Sequence, residues 1–162
     1  MKVIKKCALV ATITTLIFTS CNTKKTEILQ YSDNVVVVDL EDGKKVTVKK
    51  DDYGTYSFND WNAFNVANTD LYEVENMDYN SSKRRIENLN RWISSLPKTA
   101  PNWIKTEEVL EDINNVQKEY EALLNERNKS TKVIRENWED LSEKFDDLRE
   151  EIEETIEDYQ TE

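Results

Sequence analysis

The sequence of 162 residues contains no histidine and only two cysteines, Cys7 and Cys21. Histidine is the commonest metal ligand in proteins and the usual general base near neutral pH. Its absence excludes serine–histidine catalysis, cysteine–histidine catalysis and zinc sites of the standard kinds. Paired carboxylates are the one acid–base chemistry left open, and they need a concave site. Because the acidic residues are predicted on solvated helix faces, we expect no enzyme: no catalytic residue, metal or cofactor.

Glycine and proline are also scarce, with two of each, whereas 34% of the residues are charged. Such a composition is typical of long helices with few breaks. The formal net charge is −11, and an acidic surface repels phosphate backbones, so we expect no nucleic-acid partner. Residues 39–43 look like part of a calcium loop, but Val38 falls where the first EF-hand ligand belongs.

The first residues of the chain have the layout of a secretory signal. Three lysines within the first six residues precede an apolar run over residues 8–18, and the small residues Thr19 and Ser20 follow. The run is too short for a stable membrane span, which needs about 20 residues. We therefore expect residues 1–20 to be a signal peptide and the polar residues 21–33 to be a flexible tether. Removal of the three lysines moves the formal net charge from −11 to −14.

The motif Phe18-Thr19-Ser20-Cys21 resembles the lipobox of bacterial lipoproteins. With the Asn/Lys/Ile/Tyr-rich composition and the acidic helical C-terminal half, it makes the chain similar to the small helical lipoproteins of the Bacteroidota. The resemblance implies cleavage between Ser20 and Cys21 and attachment of fatty acyl chains such as palmitate to Cys21. It also implies a lipid anchor in the cell envelope, in the outer membrane of a Gram-negative bacterium. Whether the protein faces the periplasm or the cell surface stays open.

Residues 34–50 predict a β-hairpin. Four consecutive valines form a β-branched run, Asp42-Gly43 supplies a turn, and the segment from Lys45 to Lys49 alternates with period two. An Asp-Gly pair readily adopts a type I′ turn. Because a lone hairpin is only marginally stable in water, it must pack on the rest of the chain. We interpret it as a structural element in preference to a recognition strand.

The remaining sequence predicts an irregular segment with a short helix over residues 51–78 and a helical bundle of about three helices over residues 79–162. In the irregular segment Trp61, Phe64 and Leu71 have helical spacing. Pro97 is expected to end the first helix of the bundle, and Leu110 and Leu124 to widen the apolar face of the second. The three apolar stripes are Tyr79, Ile86, Leu89, Ile93 and Leu96; Val109, Ile113, Val116, Tyr120 and Leu123; and Ile134, Trp138, Leu141, Phe145, Leu148, Ile152 and Tyr159.

The step of eleven residues from Leu123 to Ile134 leaves two arrangements open for residues 105–159. One is a continuous helix of about 80 Å that needs a partner chain, and the other is a helical hairpin that turns near residues 125–131. The hairpin buries both stripes within one molecule, so we favour a monomer, with a coiled-coil dimer as the alternative. The predicted fold class is mainly α: an antiparallel helical bundle preceded by a small β-hairpin.

The expected function is that of a non-catalytic, lipid-anchored envelope protein that contacts the membrane through its anchor. Its helical domain is expected to act as a spacer or as an interaction module for an envelope protein whose identity the sequence does not give. The alternative is a ligand- or cation-binding lipoprotein, accessory to a transporter or surface complex.

Overall fold

A computed structural model of the protein describes residues 34–50, 54–74 and 79–161, with side chains over 34–50, 54–73 and 84–161. Backbone contacts define a compact unit over Tyr31–Glu162. All the described residues lie in this unit. The predicted signal peptide and tether lie outside them.

In the part of the chain that the structure describes, four helices form an antiparallel bundle, which confirms the predicted fold class. They are α1 (Asn62–Val74), α2 (Tyr79–Thr99), α3 (Glu107–Glu126) and α4 (Thr131–Thr161). Consecutive helices pack on one another, and the contact between α3 and α4 is the most extensive. A short turn over residues 127–130 separates these two helices. Residues 105–159 therefore form a helical hairpin, and the continuous helix is wrong.

The predicted apolar stripes form the core of the bundle, because residues three and four apart share one face of a helix. Leu124, Ile134 and Tyr159 are only partly buried, and Leu110 is 38% exposed, so the prediction that Leu110 widens the buried face is wrong. The side chain of Tyr79 lies outside the described part. The buried members of the stripes are Ile86, Leu89, Ile93, Leu96, Val109, Ile113, Val116, Tyr120, Leu123, Trp138, Leu141, Phe145, Leu148 and Ile152.

The predicted hairpin is part of a three-stranded antiparallel sheet of order β1 (Val35–Asp39), β2 (Lys45–Lys50) and β3 (Tyr56–Phe58). In the register, Val38 lies opposite Val46, and Val48 lies between Val36 and Phe58. The buried side chains of Val38 and Val48 join the core, and β1 and β3 pack against α4. The sheet is therefore stabilised by the helix that ends the fold.

The turn between β1 and β2 differs from the predicted type I′ geometry. The carbonyl of Leu40 accepts a hydrogen bond from the Gly43 N–H at 2.8 Å, and the Leu40 N–H donates to the Lys44 carbonyl at 2.8 Å. Gly43 has a φ of 80°, while no described residue other than glycine has a positive φ. A type I′ turn needs two such residues, so the three-residue loop instead places its single glycine in the left-handed region.

Helix α2 continues through Pro97 to Thr99, so the prediction that Pro97 ends the helix is wrong. Proline has no N–H, which leaves the carbonyl of Ile93, four residues earlier, without its intrahelical donor. The side chain of Gln117 on α3 donates a hydrogen bond from Nε2 to this carbonyl at 3.0 Å. A side-chain hydrogen bond from the neighbouring helix α3 thus replaces the intrahelical hydrogen bond that proline removes.

Candidate functional site

The residues predicted for signal cleavage and lipidation, Ser20 and Cys21, lie outside the described residues. The geometry of a candidate site can therefore be built only within the folded unit. Two concave regions stand out there, an acidic cleft on α4 and a smaller pocket around a buried arginine.

The acidic cleft has a volume of about 450 Å³ and lies between three elements. The turn between β1 and β2 contributes one wall, the start of α3 a second, and the C-terminal half of α4 the third. Among the described residues, no lysine or arginine lines it. The lining residues are Glu41, Thr106, Glu108, Glu151, Glu154, Thr155, Asp158 and Tyr159.

The like charges in the cleft act on one another. Burial raises the pKa of Glu151, and the negative charges of Glu154, Asp112, Glu108 and Asp158 raise it further. Burial and then Asp147 likewise raise the pKa of Asp112 on the facing helix. The last turn of α4 contains no basic residue, so the negative end of its helix dipole adds to the same field. The cleft is thus a region of uncompensated negative potential.

Three hydroxyl groups also line the cleft, and two of them have structural partners. The Thr106 hydroxyl caps α3 by accepting a hydrogen bond from the Val109 N–H at 3.1 Å. The Tyr159 hydroxyl donates to the carbonyl of Trp103 at 3.1 Å. Thr155 is only 6% exposed, and none of the described hydrogen bonds involves its side chain. Its hydroxyl is therefore available to a group that enters the cleft.

The carboxylates of the cleft are distributed along its walls and do not converge on a point. Within residues 34–50, 54–74 and 79–161, no group of three or more acidic residues could hold a metal ion. What the arrangement can do chemically is attract and orient an extended cationic group through several separate ion pairs.

The second pocket, of about 360 Å³, lies beside β3, α1 and α4. Its central feature is Arg149, whose side chain is 10% exposed. The Arg149 Nε donates to Asn68 Oδ1 at 2.7 Å, and Nη1 forms an ion pair with Asp146. The guanidinium group stacks 4.0 Å from the centroid of the Tyr72 ring. Nη2 is buried without a hydrogen-bond partner.

This arginine cluster was not predicted from the sequence. Arg149 falls between Leu148 and Ile152 in the third stripe. A charged residue at the edge of an apolar face is ordinarily predicted to point into solvent. A signal was present in α1, because Asn68 has helical spacing with Phe64 and Leu71 and is therefore placed on the buried face. A buried amide needs a hydrogen-bond partner, and Arg149 is that partner.

No helix of the described residues is long and apolar enough to cross a membrane. Comparison with protein-family models, with curated proteins and with solved structures finds no match for this chain. Function is therefore inferred from the residues of this chain alone.

Proposed function

We propose that the chain is a lipid-anchored protein of the cell envelope whose helical domain acts as a non-catalytic spacer or protein-interaction module. The observation that carries the proposal is the motif Phe18-Thr19-Ser20-Cys21 behind a short apolar leader. Acyl chains on Cys21 would anchor the protein, since each buried CH₂ contributes about 0.8 kcal/mol and more than one chain is needed for stable attachment. The outer membrane of a Gram-negative bacterium is the proposed location.

The structure of the helical domain is consistent with the role of spacer or interaction module in this proposal. Helix α4 contains 31 residues, which corresponds to a length of about 46 Å at 1.5 Å per residue. It contacts α3, β1, β3 and the short 3₁₀ turn Asn102–Ile104 that precedes α3. A helix supported at so many points is suited to present a binding surface of fixed shape to a partner protein.

The anchor is tested by replacing Cys21 with serine in cells fed an alkyne-labelled palmitate. The unaltered chain is expected to incorporate the label and to sediment with outer-membrane fragments in a density gradient. Cys21→Ser is expected to abolish labelling and to leave the precursor uncut. Cys7→Ser is the matched control, because Cys7 lies in the leader and its loss leaves labelling unchanged. Label retained by Cys21→Ser would refute the lipid anchor.

The alternative is a ligand- or cation-binding lipoprotein, accessory to a transporter or surface complex, and the observation that favours it is the negative potential of the acidic cleft. Calcium titration followed by thermal melting distinguishes a specific cation site from diffuse screening of the acidic residues. A specific site raises the melting temperature saturably, whereas diffuse screening responds equally to sodium at matched ionic strength.

A further inference from the structure

The distribution of charge in the acidic cleft defines the kind of ligand that fits it. Glu41 lies on one wall, Glu108 on a second, and Glu151, Glu154 and Asp158 on the third. A ligand that satisfies them must bear several separate positive charges, because within the described residues these carboxylates form no group that could hold a metal ion. A basic peptide has this property, since successive lysine or arginine side chains can each reach a different carboxylate.

The second observation that points to a ligand is Thr155. Thr155 is 6% exposed, it lines the cleft, and none of the described hydrogen bonds involves its hydroxyl. Because this hydroxyl is not among the fully buried atoms that lack a partner, it lies in the small part of the residue that stays accessible from the cleft. A peptide in the cleft offers both a donor and an acceptor to this hydroxyl through its main chain. Thr155 therefore supplies a hydrogen-bonding contact in the cleft, in addition to the ion pairs of the carboxylates.

We propose that the acidic cleft is the docking site for a lysine- or arginine-rich segment of a partner protein in the cell envelope. The proposal rests on the proposed function, of which it names the interaction site and the chemistry of the partner. Charge complementarity carries the choice of occupant, because the walls hold five carboxylates and no basic residue, and the C-terminal end of α4 adds its own negative dipole. The same field repels anionic lipid headgroups, so a membrane surface does not fit the cleft.

The test measures binding of a short fluorescent oligolysine peptide to the full chain in non-ionic detergent by fluorescence anisotropy. The cleft variant is Glu151→Gln with Glu154→Gln, which keeps side-chain shape and relieves repulsion within the fold. The control variant is Glu139→Gln with Asp140→Asn, two exposed positions on the same helix. It removes the same charge, and Glu139 lies about 18 Å along the axis from Glu151.

The cleft variant is expected to bind the peptide about tenfold more weakly at low salt, and the control variant less than about twofold more weakly. Thr155→Val, which replaces only the hydroxyl with a methyl group, is expected to weaken binding without changing net charge. Equal losses of peptide affinity in the cleft variant and the control variant would overturn the proposal, because binding would then depend on the total charge of the protein and not on the cleft. Displacement of the peptide by calcium, but not by sodium at matched ionic strength, would overturn it in favour of a cation site.

These outcomes are separate from the test of the proposed function. A failure of peptide binding leaves acyl labelling at Cys21 unaffected. Loss of the lipid anchor, in turn, leaves the geometry of the cleft and its affinity for the peptide unchanged.

Discussion

The side chain of Gln117 occupies the hydrogen-bonding position that Pro97 leaves empty. The Gln117 Nε2 lies 3.0 Å from the carbonyl oxygen of Ile93, the residue that stands four positions before the proline. Ile93 is buried, so an unpaired carbonyl at this place would be costly. This one hydrogen bond explains why α2 continues past Pro97. It also links α2 to α3 at that position.

Gln117→Met is therefore expected to destabilise the protein by about 1–3 kcal/mol, the cost of leaving a buried carbonyl without a donor. In a Pro97→Ala background the same substitution is expected to cost much less, because alanine at that position restores the intrahelical N–H. Urea unfolding of the four proteins in this double-mutant cycle measures the coupling. Asn114→Met, at an exposed position of the same helix, is the control. Equal costs of Gln117→Met in both backgrounds would contradict the role assigned to Gln117.

Arg149→Lys is expected to lower the free energy of unfolding by about 2–4 kcal/mol although the charge is kept. Lysine cannot make the planar contact with Tyr72 or reach Asn68 and Asp146 together. The amide of Asn68, which is 4% exposed, would then lose its partner. Chemical denaturation checks this, with Arg135→Lys at an exposed position of α4 as the control. A cost no greater than that of the control would contradict the proposed geometry.

Trp138→Ala is expected to cost about 3–5 kcal/mol, because Trp138 is 4% exposed and lies in the core. Circular dichroism is expected to show a large loss of helix that salt or mild acid partly restores. Trp138→Phe is expected to cost less, since it keeps an aromatic ring and removes an indole N–H that has no hydrogen-bond partner. Full helicity of the alanine variant at low salt would indicate that the core does not depend on this residue.

The raised pKa of Glu151 predicts that mild acidification stabilises the fold. A carboxyl whose pKa is higher in the folded state binds more protons there than in the unfolded chain. Stability therefore rises as the pH falls through the raised pKa toward the ordinary value of 4.5. Asp112, with a pKa that burial raises, acts in the same direction, whereas Asp42, with a pKa lowered by its hydrogen bond to Lys44, acts in the opposite direction.

Thermal melting between neutral pH and about pH 5 checks this sign. Glu151→Gln is expected to raise the melting temperature at neutral pH and to flatten its pH dependence, because the glutamine carries no charge for the neighbouring carboxylates to repel. Glu139→Gln is the control and is expected to leave the pH profile unchanged. A steeper profile in the Glu151 variant would refute the electrostatic account of the cleft.

The hairpin of α3 and α4 predicts a monomer. The apolar faces of both helices are buried against each other, and Leu110 is the only large apolar side chain among the described residues that is classed as exposed. Sedimentation equilibrium of the chain without its leader and Cys21 is expected to give the mass of one chain at every loading concentration. A mass that falls on dilution toward that of one chain would instead indicate a coiled-coil dimer.

The helices were predictable from sequence because their apolar stripes repeat over many turns, and burial of Ile86, Ile113 or Phe145 follows from that period. The strand β3 was not, because its three residues give too short an alternation to be distinguished from the irregular segment predicted over residues 51–78. The course of α2 through Pro97 depends on Gln117, which is 20 positions further along the chain. The sequence around Pro97 does not predict this hydrogen bond.

The acidic character of the candidate site could be predicted from the sequence, but the set of residues that forms it could not. The excess of carboxylates in α4 is visible in the sequence, but Glu41 and Glu108 join Glu151 only after the sheet and α3 have packed on that helix. In the same way, Arg149 finds Asn68 at a separation of 81 residues. Long-range neighbours of this kind depend on the packing of whole elements, which a periodic pattern does not specify.

Helix α4 is the last of the described elements, and it pairs with one of the first: Lys50 in β2 forms an ion pair with Glu153 at a separation of 103 residues. Without that helix, the buried valines of the sheet and Phe64 of α1 lose part of the surface that covers them, since β1 and β3 pack on α4 and the ring of Phe64 stacks on that of Phe145. The domain therefore completes its core only when α4 is present, and a chain exported through the expected signal peptide would complete it only after α4 has crossed the membrane. A ribosome that stops early in α4 would release a product with an uncovered core, readily recognised by proteases.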